Sequence, residues 1–125
     1  MNEMIEAVLG LVQAATSFHC SIGSLPANES IAINSSNGSE DGTFLDKQKV
    51  YVSNIEIMGK SKNAEDLNEA MWDIHTALTK SKVYPKGNGW EILDIESRAT
   101  PFYSLREQNS FIVYGSSVSV RWHLA

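Results

Sequence analysis

The chain has 125 residues and a formal charge of −5, with 42% hydrophobic, 20% charged and 9% aromatic residues. These are the values of an ordinary globular domain, and the length predicts one domain over residues 1–125 that can bury about two-thirds of its unfolded surface. A single cysteine, Cys20, excludes an internal disulfide and a Cys-rich metal site, and no apolar run approaches the roughly 20 residues of a membrane-spanning helix.

Charge is distributed unevenly. Residues 1–46 carry six acids (Glu3, Glu6, Glu29, Glu40, Asp41 and Asp46) and no Lys or Arg; ten bases and nine acids follow. A nucleic-acid binder presents a basic stripe that displaces counterions from phosphate, so the acidic first third argues against specific DNA binding. Glu3 and Glu6 also stand where a secretory signal needs positive charge. An intracellular location is therefore expected, and the sequons at Asn28, Asn34 and Asn37 are read as polar turns.

In chain order, residues 2–16 predict an amphipathic helix, because Met4, Ile5, Val8, Leu9, Leu11, Val12 and Ala15 follow helical spacing. A turn containing Gly23 and Pro26 precedes a short strand over 29–34, where Ile31 and Ile33 alternate with polar neighbours. Residues 35–47 contain only two large apolar side chains, Phe44 and Leu45. Fixing 13 backbones costs on the order of 13–26 kcal/mol, which this composition cannot recover by burying itself, so a long mobile loop is expected. Phe44 and Leu45 read equally well as anchors for a partner or as the start of the next strand.

Residues 48–58 are rich in β-branched side chains and predict a strand, ended by Gly59-Lys60-Ser61-Lys62. The clearest helix spans 64–80: Asn63 caps it, Glu65 and Asp66 suit its positive end, and Leu67, Ala70, Met71, Ile74, Ala77 and Leu78 form the buried stripe. Trp72 and His75 border that stripe. Pro85 and Gly87-Asn88-Gly89 make a turn before a strand over 90–98, which Pro101 interrupts or ends. The run 110–124 alternates with Ile112, Tyr114, Val118, Val120, Trp122 and Leu124 on one face, and Gly115-Ser116-Ser117 is the expected bend. The fold class that results is α+β, a mostly antiparallel sheet packed on one face by two helices.

The search for chemistry yields little. Gly59-Lys60-Ser61 lacks the glycine five positions earlier that a phosphate-binding loop requires, having Asn54 there. Cys20 needs a base brought close in space, with His75 or His123 as the possibilities. Asp94 and Glu96 share a strand face but read as solvent-side decoration. Three scattered histidines lack metal-ligand spacing. No catalytic, metal or cofactor residue is assigned. What remains is interaction capacity: a long loop and long sheet edges, which recruit other chains unless blocked. On the residues alone, a self-assembling structural protein, a β-edge peptide-binding module and a thiol enzyme stay open.

Ser24-Leu25-Pro26, the Ile31-Ala32-Ile33 strand, the polar stretch reaching Thr43-Phe44-Leu45-Asp46, the helix opening Asn63-Ala64-Glu65-Asp66-Leu67, the Asn88-Gly89 turn, Thr100-Pro101-Phe102 and Phe111-Ile112-Val113-Tyr114 occur in an order that resembles the minor capsid or tail-terminator proteins of long-tailed DNA phages. The resemblance spans residues 20–124 and rests on the order and spacing of elements. It implies a homo-oligomer, a hexameric ring on the head-proximal end of the tail tube. It also implies the tail-tube and head-completion proteins as partners, DNA passing through without specific binding, no membrane, no cofactor and no catalysis. The location it implies is the virion tail or neck, assembled in the host cytoplasm. By position it places the subunit or tube interface at Phe44, Leu45 and Asp46 with Glu40 and Asp41. A tail-tube or head-completion protein of the same particle is the alternative within this class.

Overall fold

The computed structural model describes residues 2–26, 28–43, 49–81, 83–108 and 110–124, with backbone alone for 2, 36–43 and 49. Its elements are α1 (Asn2–Ala15), β1 (Cys20–Ile22), β2 (Ser30–Thr43), β3 (Lys49–Ser61), α2 (Ala64–Thr79), β4 (Lys86–Gly87), β5 (Trp90–Arg106) and β6 (Ile112–Leu124). The strands form one six-stranded sheet in the order β1-β2-β3-β6-β5-β4. Among the described residues, only the β1–β2 pair is parallel. The expected α+β class is the observed one.

Both helices cover the same face of the sheet. Met4, Val8 and Val12 of α1, one turn apart, and Leu67, Met71, Ile74 and Leu78 of α2 meet Ile31, Ile33, Ile55, Ile57, Ile92, Ile95, Val118, Val120 and Trp122 in one core. The α2 stripe differs from the predicted one in a single exchange: Ala77 is exposed and His75 is buried. Asn63 caps α2 as expected, its side-chain oxygen accepting from the Asp66 amide at 3.1 Å. Trp122 stacks on Tyr51 with ring centroids 5.0 Å apart and donates its indole N–H to Ser53 Oγ at 2.9 Å.

Several elements depart from the sequence reading. The strand β2 does not stop at 34: residues 35–43 continue it, paired antiparallel with β3 from Ser35↔Ile55 to Thr43↔Lys49. Backbone hydrogen bonds to a long neighbouring strand, and not side-chain burial, offset the entropy of ordering this polar segment. The polar stretch pays in regularity, with register shifts between Ser35 and Gly38 and between Glu40 and Gly42. Residues 44–47, the rest of the expected loop, lie outside the described residues. The strand β3 runs through Gly59, Lys60 and Ser61 instead of ending before them.

The strand β5 continues past Pro101 to Arg106. Proline is tolerated where no ladder hydrogen bond is asked of it, and Pro101 sits in the register break between Ala99 and Phe102. The expected bend at 115–117 is absent: β6 pairs with β3 in unbroken register from Val50↔His123 to Ser61↔Ile112, and the irregularities fall on β5. Finally, β1 is an unforeseen three-residue strand. Gly23, with φ +116°, turns the chain after it and donates its amide to the Ile33 carbonyl.

Candidate functional site

The groups that sequence reasoning singled out for chemistry are held apart or already engaged. Cys20 is buried on β1, its thiol donates to the Phe18 carbonyl at 3.3 Å, and burial pushes its pKa up. That disfavours the thiolate a nucleophile needs. His123 lies on β6 beyond β2 and β3 and far along that strand from Tyr114, the residue level with Cys20, which puts it roughly 30 Å from the thiol. His75 packs against Ser97 on β5, one strand further still. Neither histidine is brought to the thiol.

His75 and Ser97 do form a pair, with Nε2 2.9 Å from Oγ, which sequence reasoning missed. A nucleophilic pair of this kind works when a third group orients the imidazole. Here Nδ1 is buried without a hydrogen-bond partner. Burial lowers the pKa of His75, so the ring is a neutral packing element bordered edge-on by Trp72 at 6.2 Å.

The Gly59-Lys60-Ser61 triplet is part of the sheet. A Cβ at Gly59 would lie 2.7 Å from Ile31 Cδ1 and 2.9 Å from Leu67 Cδ1, so the glycine lets α2 approach the strand. The Lys60 ammonium, on the opposite face, lies 3.3 Å from Glu107 Oε1 and 5.1 Å from the Phe111 ring centroid. It has carboxylate and aromatic partners instead of a phosphate. Asp94 accepts from Arg121 at 2.9 Å, and Glu96 is exposed on the same helix-free face. Among the described residues, no group of three or more His, Cys, Asp or Glu is placed to hold a metal.

Three surface clefts measure about 290, 310 and 220 Å³, at or below the lower end for sites that enclose a small organic ligand. The first lies between the end of α1 and the acids Asp66, Glu69 and Asp73 of α2. The third lies on the helix-free face between Met58, Phe102 and Gly115.

The distinctive surface is the sheet itself. On its helix-free side the upper rows are polar, with Asn54, Ser119 and Glu96 across one row, whereas the lower end carries Met58, Phe102 and Leu105. Phe102, Tyr103 and Leu105 are each about half exposed, close together near the end of β5. Both edges of the sheet are largely open among the described residues. β1 covers β2 only at Ile31–Ile33, and β4 covers β5 only at Trp90 and Glu91. Of the residues expected at an interface, Glu40 and Asp41 fall by backbone on the open part of β2, while Phe44, Leu45 and Asp46 lie outside the described residues. The β5 residues Phe102, Tyr103 and Leu105 were not foreseen as surface. The signal was present: three apolar side chains following a proline cannot all enter a core from one strand, because alternate residues face opposite sides.

No family model matches the chain, and no curated protein matches it. Among solved structures, a chain of the virion of a native gene transfer agent (GTA) particle is similar to it, with a TM-score of 0.58 and 12% identity. The match covers 98% of this chain and 90% of that one. At that identity the likeness is one of fold: this chain shares the fold of a virion component over nearly its whole length.

Proposed function

We propose that this chain is a structural virion protein, a tail terminator that forms a ring on the head-proximal end of the tail tube and joins tail to head. The observation that carries the reading is the end-to-end fold likeness to a chain of a virion particle. Two features of the molecule support it. Its reactive groups are buried or paired with packing partners, and its sheet leaves long stretches of two edge strands open for other chains. The protein works by docking onto copies of itself, onto the tail-tube protein and onto a head-completion protein, without transforming a substrate.

A hexameric ring is the assembly proposed, since identical subunits joined head to tail by a closing interface make a closed ring. The acidic first third, with no base before Lys47, suits a channel through which DNA passes, because like charge keeps the duplex from adhering to the wall. Removing the gene from a producing host tests the reading. Tails of unregulated length lacking heads are expected; normal tails joined to heads would overturn it, and tails with no tube at all would assign the chain to the tube instead.

A further inference from the structure

We infer that a second copy docks its β1 edge against the open end of β5, setting its Ile22 against Trp72 and Tyr103. This rests on the assembly reading above and names the surfaces through which copies join.

Register is the first argument. Each cross-strand row can be followed from one edge of the sheet to the other. Cys20 is level with Ile31, Gly59, Tyr114 and Tyr103, and Ser21 with Ala32, Met58, Gly115 and Phe102. The row of Ile22 passes through Ile33, Ile57 and Ser116 and meets β5 between Ala99 and Phe102. A rotation about an axis lying roughly along the strands carries each row of one copy on into the same row of the next. β1 then faces residues 100–103 of β5, clear of β4, which covers only Trp90 and Glu91. β1 runs with β2 and against β5, so the pairing is antiparallel, the commoner kind. Each copy offers one edge and receives at the other, which is the condition for a ring.

Side chains are the second. Cys20, Ile33 and Ile57 belong to the core beneath the helices, and Ile22, which shares their face, is about half exposed on that side. At the opposite edge, Ala70 and Asp73 of α2 are turned towards the end of α1. Trp72 is on the other side of the helix, next to His75, which reaches Ser97 of β5. Along the strands, Met71 lies over Gly59, on the row of Tyr114, and His75 lies over Ser97, on the row of Val118. These two bracket Trp72 near the row of Ser116, which is the row of Ile22. Tyr103, edge-on to Tyr114 at 6.2 Å, is one row away. Ile22, Trp72 and Tyr103 are each about half exposed in the single chain. Side-by-side docking brings them together on one side of the sheet and covers all three.

Charge is the third. Exposed edges are blunted by charged side chains, prolines or short strands. Residues 17–25, which carry β1, contain no Asp, Glu, Lys or Arg, so nothing on this edge repels the exposed Arg98 and Arg106 of β5. β1 has only three residues. The ladder between copies is therefore short, and the strength of the contact comes mainly from the apolar side chains, with an aromatic anchor at its centre.

Cross-linking tests this neighbour assignment. In a Cys20→Ala background, one preparation carries Ser21→Cys and a second Ser104→Cys, sites that lie beside each other across the inferred contact. Circular dichroism and urea midpoints matching those of Cys20→Ala alone show that both are folded. A short bismaleimide should join the two in a mixture and leave each preparation alone unlinked, because residue 21 meets 104 and never itself. In parallel, Ile22→Asp and Trp72→Ala, checked for folding in the same way, should each raise the concentration needed for assembly in sedimentation by roughly tenfold or more. Assemblies whose mixture stays unlinked, linking of either preparation alone, or variants that assemble like the original would overturn the β1–β5 contact while leaving a ring protein in place. If rings form only on tube ends, the same comparisons are made there. If the unmodified chain neither assembles at millimolar concentration nor binds tube ends, the contact and the assembly reading fall together.

Discussion

Alanine at position 59 would place a methyl group 2.7 Å from Ile31 Cδ1, 2.9 Å from Leu67 Cδ1 and 3.0 Å from Met71 Sδ. Ile31, Leu67 and Met71 are fully buried, so their side-chain ends must shift within a packed core for Gly59→Ala to fit. Overpacking of this kind destabilises by about 1–3 kcal/mol, and the reduced backbone freedom of alanine returns roughly 0.5–1 kcal/mol. The net expectation is a loss of about 1–2 kcal/mol. With a urea slope of about 1.5 kcal/mol per molar, the midpoint falls by roughly 1 M. Ile31→Val removes the atom nearest the new methyl and by itself costs about 0.5–1.5 kcal/mol. The double variant should then be more stable than the two single losses added together, with a coupling of at least about 0.5 kcal/mol. Urea unfolding of the four proteins measures the cycle. A Gly59→Ala chain as stable as the original, or strict additivity with Ile31→Val, would refute the close approach of helix and strand at this glycine.

Three further outcomes follow from the same packing. His75 has its pKa lowered by burial, so the folded state resists a proton that the unfolded chain accepts near pH 6.5. Stability is full above that value and falls as pH drops below it, by up to about 1.4 kcal/mol per pH unit until the folded-state pKa is reached. Urea midpoints between pH 7.5 and 5 should therefore drop more for the original chain than for His75→Gln; equal drops would contradict this. The Cys20 thiol should react with a soluble alkylating reagent only on unfolding, since it is buried with a raised pKa, and prompt labelling of the native protein would count against its placement. Lys60→Met, which keeps the buried stem and removes the ammonium, should change stability by less than about 1 kcal/mol. Glu107→Gln strands the Lys60 charge in a site where its side chain is only 6% exposed. It should cost more, about 1 kcal/mol after allowing for water at the half-exposed carboxylate, and the opposite ranking in urea would refute the pairing.

How far the sequence discloses this molecule depends on what holds each element. The helix α2 and the strands β3 and β6 are held by burial, so their apolar periodicity shows them directly: Leu67, Met71, Ile74 and Leu78 along one, Ile55 and Ile57 or Val118 and Val120 along the others. The outer half of β2 is held by backbone pairing to β3, which leaves no mark on the identity of Ser-Ser-Asn-Gly-Ser. An indirect mark did exist. A strand as long as β3, with Val50, Tyr51 and Val52 at its start, has two sides to pair; β6 takes one along its whole length, and the preceding residues are placed to take the other. Likewise the long alternating run of β6 implied a β5 of matching length through Pro101. β1 carries too few residues for any period to show.

The candidate surface was legible in outline. Its acids Glu40 and Asp41 lie on the open part of β2, but its apolar half is on β5, at Phe102, Tyr103 and Leu105. They follow Pro101, which on sequence grounds interrupts or ends the strand, whereas β5 runs through it to Arg106. Sheet edges are a property of topology, which strand order decides and local pattern does not. The histidine–serine pair was equally hidden, because His75 and Ser97 meet only when α2 lies across β5.

The central claim is that the protein acts by assembling on the end of a larger particle, and electron microscopy of the purified chain mixed with tail tubes tests it most directly. The account predicts single rings seated at one end of each tube and no further growth of capped tubes. Tubes with bare ends beside a dispersed monomer, or long tubes built from this chain alone, would contradict it.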